Sequence, residues 1–148
     1  MRKLWLTGIC LMAVSAGIIS CQDSTGSNIK APANAQSDTA NFTTIRWIDS
    51  LKDFGTAAMG DKVKIVYQFE NTGDKPLFIT QVRPTCGCTV ADYTKTAVMP
   101  GKEGTVTAAF DTNHGGPGSV RKSIVVSSNT TNNTHFVLAF TGKVTPSK

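Results

Sequence analysis

Between Val63 and Glu70 the side chains alternate with a period of two. Val63, Ile65, Tyr67 and Phe69 fall on one side, Lys64, Gln68 and Glu70 on the other, and Val66 is the one exception. Such a pattern builds a half-buried antiparallel strand, one face on a core and the other in water. The next six residues, Asn71-Thr-Gly-Asp-Lys-Pro76, are all turn formers or their usual companions, so the chain reverses there.

The same reading extends along the chain. Phe42 to Asp49 carries Ile45, Trp47 and Ile48 and reads as an opening strand, after which Phe54-Gly55 leads into a turn at Gly60-Asp61. Leu77 to Val82 is the next strand, and Pro84 removes a ladder donor at its end. Past a Cys-Gly-Cys corner come Thr89-Val90, a loop through Tyr93, a short strand at Ala97-Val98-Met99 and a turn at Pro100-Gly101. Gly104 to Phe110 alternates again, with Val106, Ala108 and Phe110 on one side. Asp111 to Gly118 is a loop, and Val120 to Ser127 and His135 to Val144 are strands joined by the polar turn Ser128 to Asn133. About seven short strands with no amphipathic helix predict an all-β, immunoglobulin-like antiparallel β-sandwich. Residues 42–148 supply 107 positions for it, close to the roughly 100 such a domain uses.

The first 41 residues have a different character. Met1-Arg-Lys is a positive start, and Leu4 to Ile19 is an apolar run broken by Thr7, Gly8, Ser15 and Gly17. Residues 1–20 read as a signal peptide, the run being short for a spanning helix. Ile18-Ile-Ser-Cys21 resembles the lipobox of bacterial lipoproteins, in which the Cys receives acyl chains and the leader is cut just before it; its place at the end of the apolar run favours this over an ordinary secreted protein with a stray Cys. Residues 21–41 then form an expected flexible tether: after Cys21 they hold one large aliphatic, Ile29, and no aromatic, too little apolar surface to offset ordering. A tether of that length reaches about 25 Å. Asp23-Ser-Thr, Asp38-Thr-Ala and Asp49-Ser-Leu also resemble a short acidic-then-hydroxyl motif for bacterial O-glycosylation. The expected location is the bacterial cell envelope, with the domain facing periplasm or exterior and the membrane as partner through the N-terminal lipid.

Charge narrows the partners further. The formal +5 falls to +3 once Arg2 and Lys3 leave with the leader, and the remaining basic residues are scattered singly. No basic stripe with interleaved aromatics appears, so nucleic acid is not an expected partner; an envelope protein or a glycan is. No Gly-x-Ser-x-Gly frame surrounds Ser123, Ser127 or Ser128, and no paired carboxylates stand out, so no enzyme activity and no cofactor are expected. Asn129-Thr-Thr fits a glycosylation pattern of eukaryotes, which a bacterial lipoprotein would not use.

With Cys10 in the leader and Cys21 acylated, Cys86 and Cys88 have only each other as intramolecular partners. Exported domains keep such pairs oxidised. In an extended strand, residues two apart stand about 6.6 Å apart at Cα, at the long edge of what a disulfide accepts. Gly87 is expected to relax that limit through φ values closed to other residues. Three readings compete: a structural clip at a strand kink, a dithiol exchanging with partner proteins, and a thiolate pair holding a soft ion such as Cu(I) with Met99, His114 or His135 as third ligand. The residues favour the clip, with no resident metal.

Phe69-Glu-Asn-Thr-Gly-Asp-Lys-Pro-Leu-Phe-Ile79 followed by Val82-Arg-Pro-Thr-Cys-Gly-Cys-Thr89 resembles the signature of the domain-of-unknown-function 1573 family. Met99-Pro-Gly-Lys102, Phe110-Asp-Thr112 and Ile124-Val-Val-Ser-Ser-Asn129 resemble its later landmarks, so the likeness covers roughly residues 45 to 144. It implies a secreted or lipid-anchored bacterial protein with an immunoglobulin-like, PapD-like fold, and it implies no reaction.

Overall fold

A computed structural model describes residues 28–114 and 116–147. Among these residues eight strands form two four-stranded sheets. They are β1 (Ile45–Trp47), β2 (Leu51–Ala58), β3 (Lys62–Asn71), β4 (Ile79–Pro84), β5 (Thr89–Tyr93), β6 (Glu103–Asp111), β7 (Gly118–Ser128) and β8 (His135–Thr145). One sheet runs β1-β3-β6-β5 and the other β2-β8-β7-β4. Neighbours pair antiparallel throughout, except that β2 runs parallel to β8. The fold is the predicted all-β sandwich of immunoglobulin-like type.

The core is the set of inward positions that the alternation marks. Ile65, Tyr67 and Phe69 of β3 and Val106, Ala108 and Phe110 of β6 face Ile124 and Val126 of β7 and Leu138, Phe140 and Val144 of β8, all buried. Phe54, Phe110 and Phe140 form a tilted triangle with centroids 5.6 to 6.2 Å apart. At the other end Trp47 stacks on Phe136 at 5.1 Å and tilts against Phe69 at 5.2 Å. Such aromatic contacts add to what burial alone provides.

Several boundaries differ from the expectation. Leu51–Ala58 is a strand where none was predicted. The register of β2 shifts between Asp53 and Thr56, and Gly55 there takes a φ of 75°, so a bulge breaks the alternation that would have marked it. Thr89–Tyr93 is a strand along its whole length instead of a loop. Ala97-Val98-Met99 is not a strand: only Val98 pairs, exchanging both backbone hydrogen bonds with Leu77 at 2.8 and 2.9 Å. The turn after it is as expected, with Gly101 at a φ of 71° and Lys102 N–H donating to the Met99 carbonyl at 3.0 Å.

Within the segment expected as a tether, residues 29–41 lie against the sandwich. Lys30 bridges to Thr96, Ala97 N–H donates to the Ile29 carbonyl, and Ala35 is buried. Asn129 Nδ2 donates to Asn41 O at 3.0 Å, and Lys75 Nζ to Ala40 O. Among the described residues no helix is long and apolar enough to cross a membrane. The signal peptide and Cys21 lie outside the described residues.

Candidate functional site

The chain leaves the second sheet at Pro84 and enters the first at Thr89, so residues 85–88 are the crossover from one layer to the other. Both ends are tied to neighbouring strands. Thr85 donates from N–H and from Oγ1 to the Ser123 carbonyl on β7, each at 3.0 Å, and its hydroxyl lies 3.3 Å from Ser123 Oγ. At the far end the Cys88 carbonyl accepts from Asp111 N–H on β6 at 3.0 Å. Thr89 N–H closes the corner on the Cys86 carbonyl at 3.4 Å.

Cys86 and Cys88 are joined by a disulfide, with their Cα atoms 5.3 Å apart. Cys88 is buried against the core and Cys86 is half-buried. Thr89 Oγ1 sits 3.5 Å from Cys86 Sγ and 4.0 Å from Cys88 Sγ, so one buried hydroxyl serves both sulfurs.

Gly87 does not do what the sequence reading assigned to it. Its φ is outside the left-handed region, and a Cβ added there would meet nothing within 4 Å. The corner closes in ordinary backbone conformation, because the bend from β4 into β5 already draws the two Cα atoms together. What the glycine does leave is an exposed, uncovered backbone beside the disulfide.

A cavity of about 260 Å³ adjoins the corner, lined by Lys62, Gly87, Cys88, Val90, Phe110, Asp111 and His114 among others. Of the three candidate third ligands, only His114 belongs to it. His135 is held by Ser127, Oγ to Nδ1 at 2.9 Å, and Met99 stands in the turn before Pro100. Among the described residues no group of three or more His, Cys, Asp or Glu could hold a metal ion. The Ser127–His135 pair has no carboxylate hydrogen-bonded to the ring among those residues, which leaves it short of a nucleophile–base–orienter arrangement.

Sequence reasoning missed Thr85, Thr89, Lys62 and Asp111 as parts of the site. Thr85 and Thr89 flank the cysteines directly, and this was the available signal; Lys62 and Asp111 arrive from strands distant in the chain.

The family model described as "Protein of unknown function (DUF1573)" matches residues 45–144. No curated protein matches the chain. In structure it is similar to a protein of unknown function from Porphyromonas gingivalis W83, at a TM-score of 0.62 and 18% identity, over 71% of this chain and 48% of that one. The chain thus spans about half the length of that protein. It is also similar to the ASH/PapD-like domain 7 of human CEP192, at a TM-score of 0.56 and 12% identity, over 94% of this chain and 100% of that one. A family 123 glycoside hydrolase from Clostridium perfringens matches at a TM-score of 0.55 and 8% identity, over 66% of this chain and 23% of its own. At these identities the likeness is one of fold.

Proposed function

Since the chain belongs to the DUF1573 family, whose function is unknown, we propose that it is a lipid-anchored, non-enzymatic binding or structural module of the bacterial cell envelope. The observation that carries this reading is the position of Cys21: the lipobox Ile18-Ile-Ser-Cys21 stands where the apolar run ends, ahead of a single sandwich domain. Two or more acyl chains there give stable attachment, where one gives only marginal binding.

The packing of residues 29–41 sharpens the anchoring. The chain joins the domain at about residue 29, and the eight residues from Cys21 to that point span at most about 29 Å. The sandwich is therefore held near the bilayer surface. For binding an envelope protein or a glycan, the edge favoured is β5, one of the two outer strands of its sheet, where Val90 is 73% exposed.

Metabolic labelling with an alkyne palmitate in a bacterial host, followed by membrane fractionation, tests the anchor. The wild-type protein takes up label and stays with membranes, and Cys21→Ala loses both. Label retained by the variant, or absent from the wild type, rejects the reading.

A further inference from the structure

We propose that Cys86–Cys88 is a site of thiol–disulfide exchange with a protein dithiol, attacked at Cys86 with Cys88 as the leaving sulfur. The inference goes beyond the anchoring reading and does not depend on it.

The corner does not need the sulfur bond to keep its place. Thr85 is fixed to β7 through Ser123, Cys88 to β6 through Asp111, and Thr89 N–H to the Cys86 carbonyl, all by hydrogen bonds that involve neither sulfur. A bridge between residues two apart also restricts little of the unfolded chain. The bond can therefore break while the strands hold their register.

Access is one-sided. Gly87 is exposed, and among the described residues nothing lies within 4 Å of where its side chain would begin, so the backbone between the two cysteines is open. Cys86 is half-buried and Cys88 buried, which directs an incoming thiolate to Cys86 Sγ and leaves Cys88 Sγ facing inward as the departing atom. Cys88 lines the 260 Å³ cavity that Lys62 shares, and Thr89 Oγ1 stands 4.0 Å from Cys88 Sγ and 3.5 Å from Cys86 Sγ. An ammonium beside a cysteine favours its thiolate. The Asp111 carboxylate lines the same cavity; its Oδ1 accepts Asn113 N–H at 3.0 Å and lies 3.9 Å from His114 Nδ1.

The exchange balances as two displacements. A thiolate of the partner attacks Cys86 Sγ, a mixed disulfide forms, and the Cys86–Cys88 bond breaks with its electron pair going to Cys88. The partner's second thiolate then attacks its own sulfur in the mixed disulfide, releasing Cys86 as a thiolate. The partner dithiol is oxidised to a disulfide, this chain is reduced by the same two electrons, and the protons of the partner's thiols pass through solvent to Cys86 and Cys88. The reverse sequence reoxidises the pair.

The full chain treated with reduced thioredoxin as the protein dithiol, then alkylated and mapped by mass, tests the proposal. Alkylation at Cys86 and Cys88 should appear at a rate that rises with thioredoxin concentration, while the circular-dichroism spectrum stays that of the folded sandwich. Alkylation only at the rate of unfolding, whatever the thioredoxin concentration, overturns it, as does reduction by dithiothreitol but not by thioredoxin. The direction of attack is read from single variants: Cys88→Ser should form a mixed disulfide with an aromatic disulfide reagent at least tenfold faster than Cys86→Ser. Equal rates or the opposite order overturn that assignment, and should either variant fail to fold, the wild-type concentration dependence still decides.

Discussion

Tyr67 on β3 donates a hydrogen bond from its hydroxyl across the sandwich to the carbonyl oxygen of Ala139 on β8, at 2.8 Å. The two residues belong to different sheets, so this one bond links the layers through their middle. Tyr67 is wholly buried. Replacing it with Phe keeps the ring and its packing and leaves the Ala139 carbonyl without that donor. A loss of about 1 kcal/mol in a urea titration is expected; an unchanged midpoint would show that water reaches the carbonyl instead.

Burial also pushes the Tyr67 hydroxyl up from 10.0 to about 12. The folded state holds this proton more tightly than the unfolded chain does, so the contribution to stability is complete below about pH 10 and fades as pH climbs towards 12. At about 1.4 kcal/mol per unit the decline from this group approaches 2 kcal/mol by about pH 11.5. Tyr67→Phe should remove that part of the alkaline slope. Denaturation midpoints at about pH 8 and about pH 11.5 for both proteins check it, and parallel declines would contradict the assignment.

Three glycines should separate cleanly on substitution. A Cβ at Gly104 or at Gly142 would fall within 3.0 Å of three ring carbons, of Phe69 and of Phe54 respectively. Phe69 is fully buried under Trp47 and has nowhere to go, whereas Phe54 is partly exposed on the edge strand and can swing outward. Gly104→Ala is therefore expected to cost about 2 to 3 kcal/mol and Gly142→Ala about 1 kcal/mol. Gly87→Ala, with open space and an unstrained φ, should stay within about 0.5 kcal/mol. Thermal melts of the three variants give the order directly.

What could be read from the chain was whatever local pattern decides. β3 and β6 carry clean alternation because each has one face on the core, and both were legible to within a residue or two. β2 was not, since its bulge at Gly55 breaks the period, and its partner β8 lies more than 80 residues on. Ala97-Val98-Met99 looked like a strand because Val98 is buried, yet burial of one side chain does not make a ladder. At the corner the two cysteines were legible from their spacing. The role given to Gly87 was wrong because the bend comes from the crossing between sheets, and the anchors Ser123 and Asp111 come from strands that only the fold brings alongside.

Asn129 shows the same dependence on distant partners and supports the last prediction. Its side chain is buried and fully used: Oδ1 accepts Phe78 N–H at 2.7 Å, and Nδ2 donates to the carbonyls of Pro76 and Asn41, each at 3.0 Å. One amide thus joins the end of β7, the entry to β4 and the segment that leads into β1. Asn129→Ala strands three backbone groups and should cost about 2 to 4 kcal/mol. Asn129→Asp has the same shape but turns a buried carboxylate oxygen towards two carbonyl oxygens. Burial of that charge makes Asp the more damaging change at neutral pH despite being isosteric. The gap should narrow as acid protonates the carboxyl and gives it back a donor. Urea midpoints of both variants at about pH 7 and about pH 4 provide the measurement. If Asp were the milder substitution at neutral pH, the amide would not be oriented as described, and the anchoring of Asn41 through it would have to be abandoned.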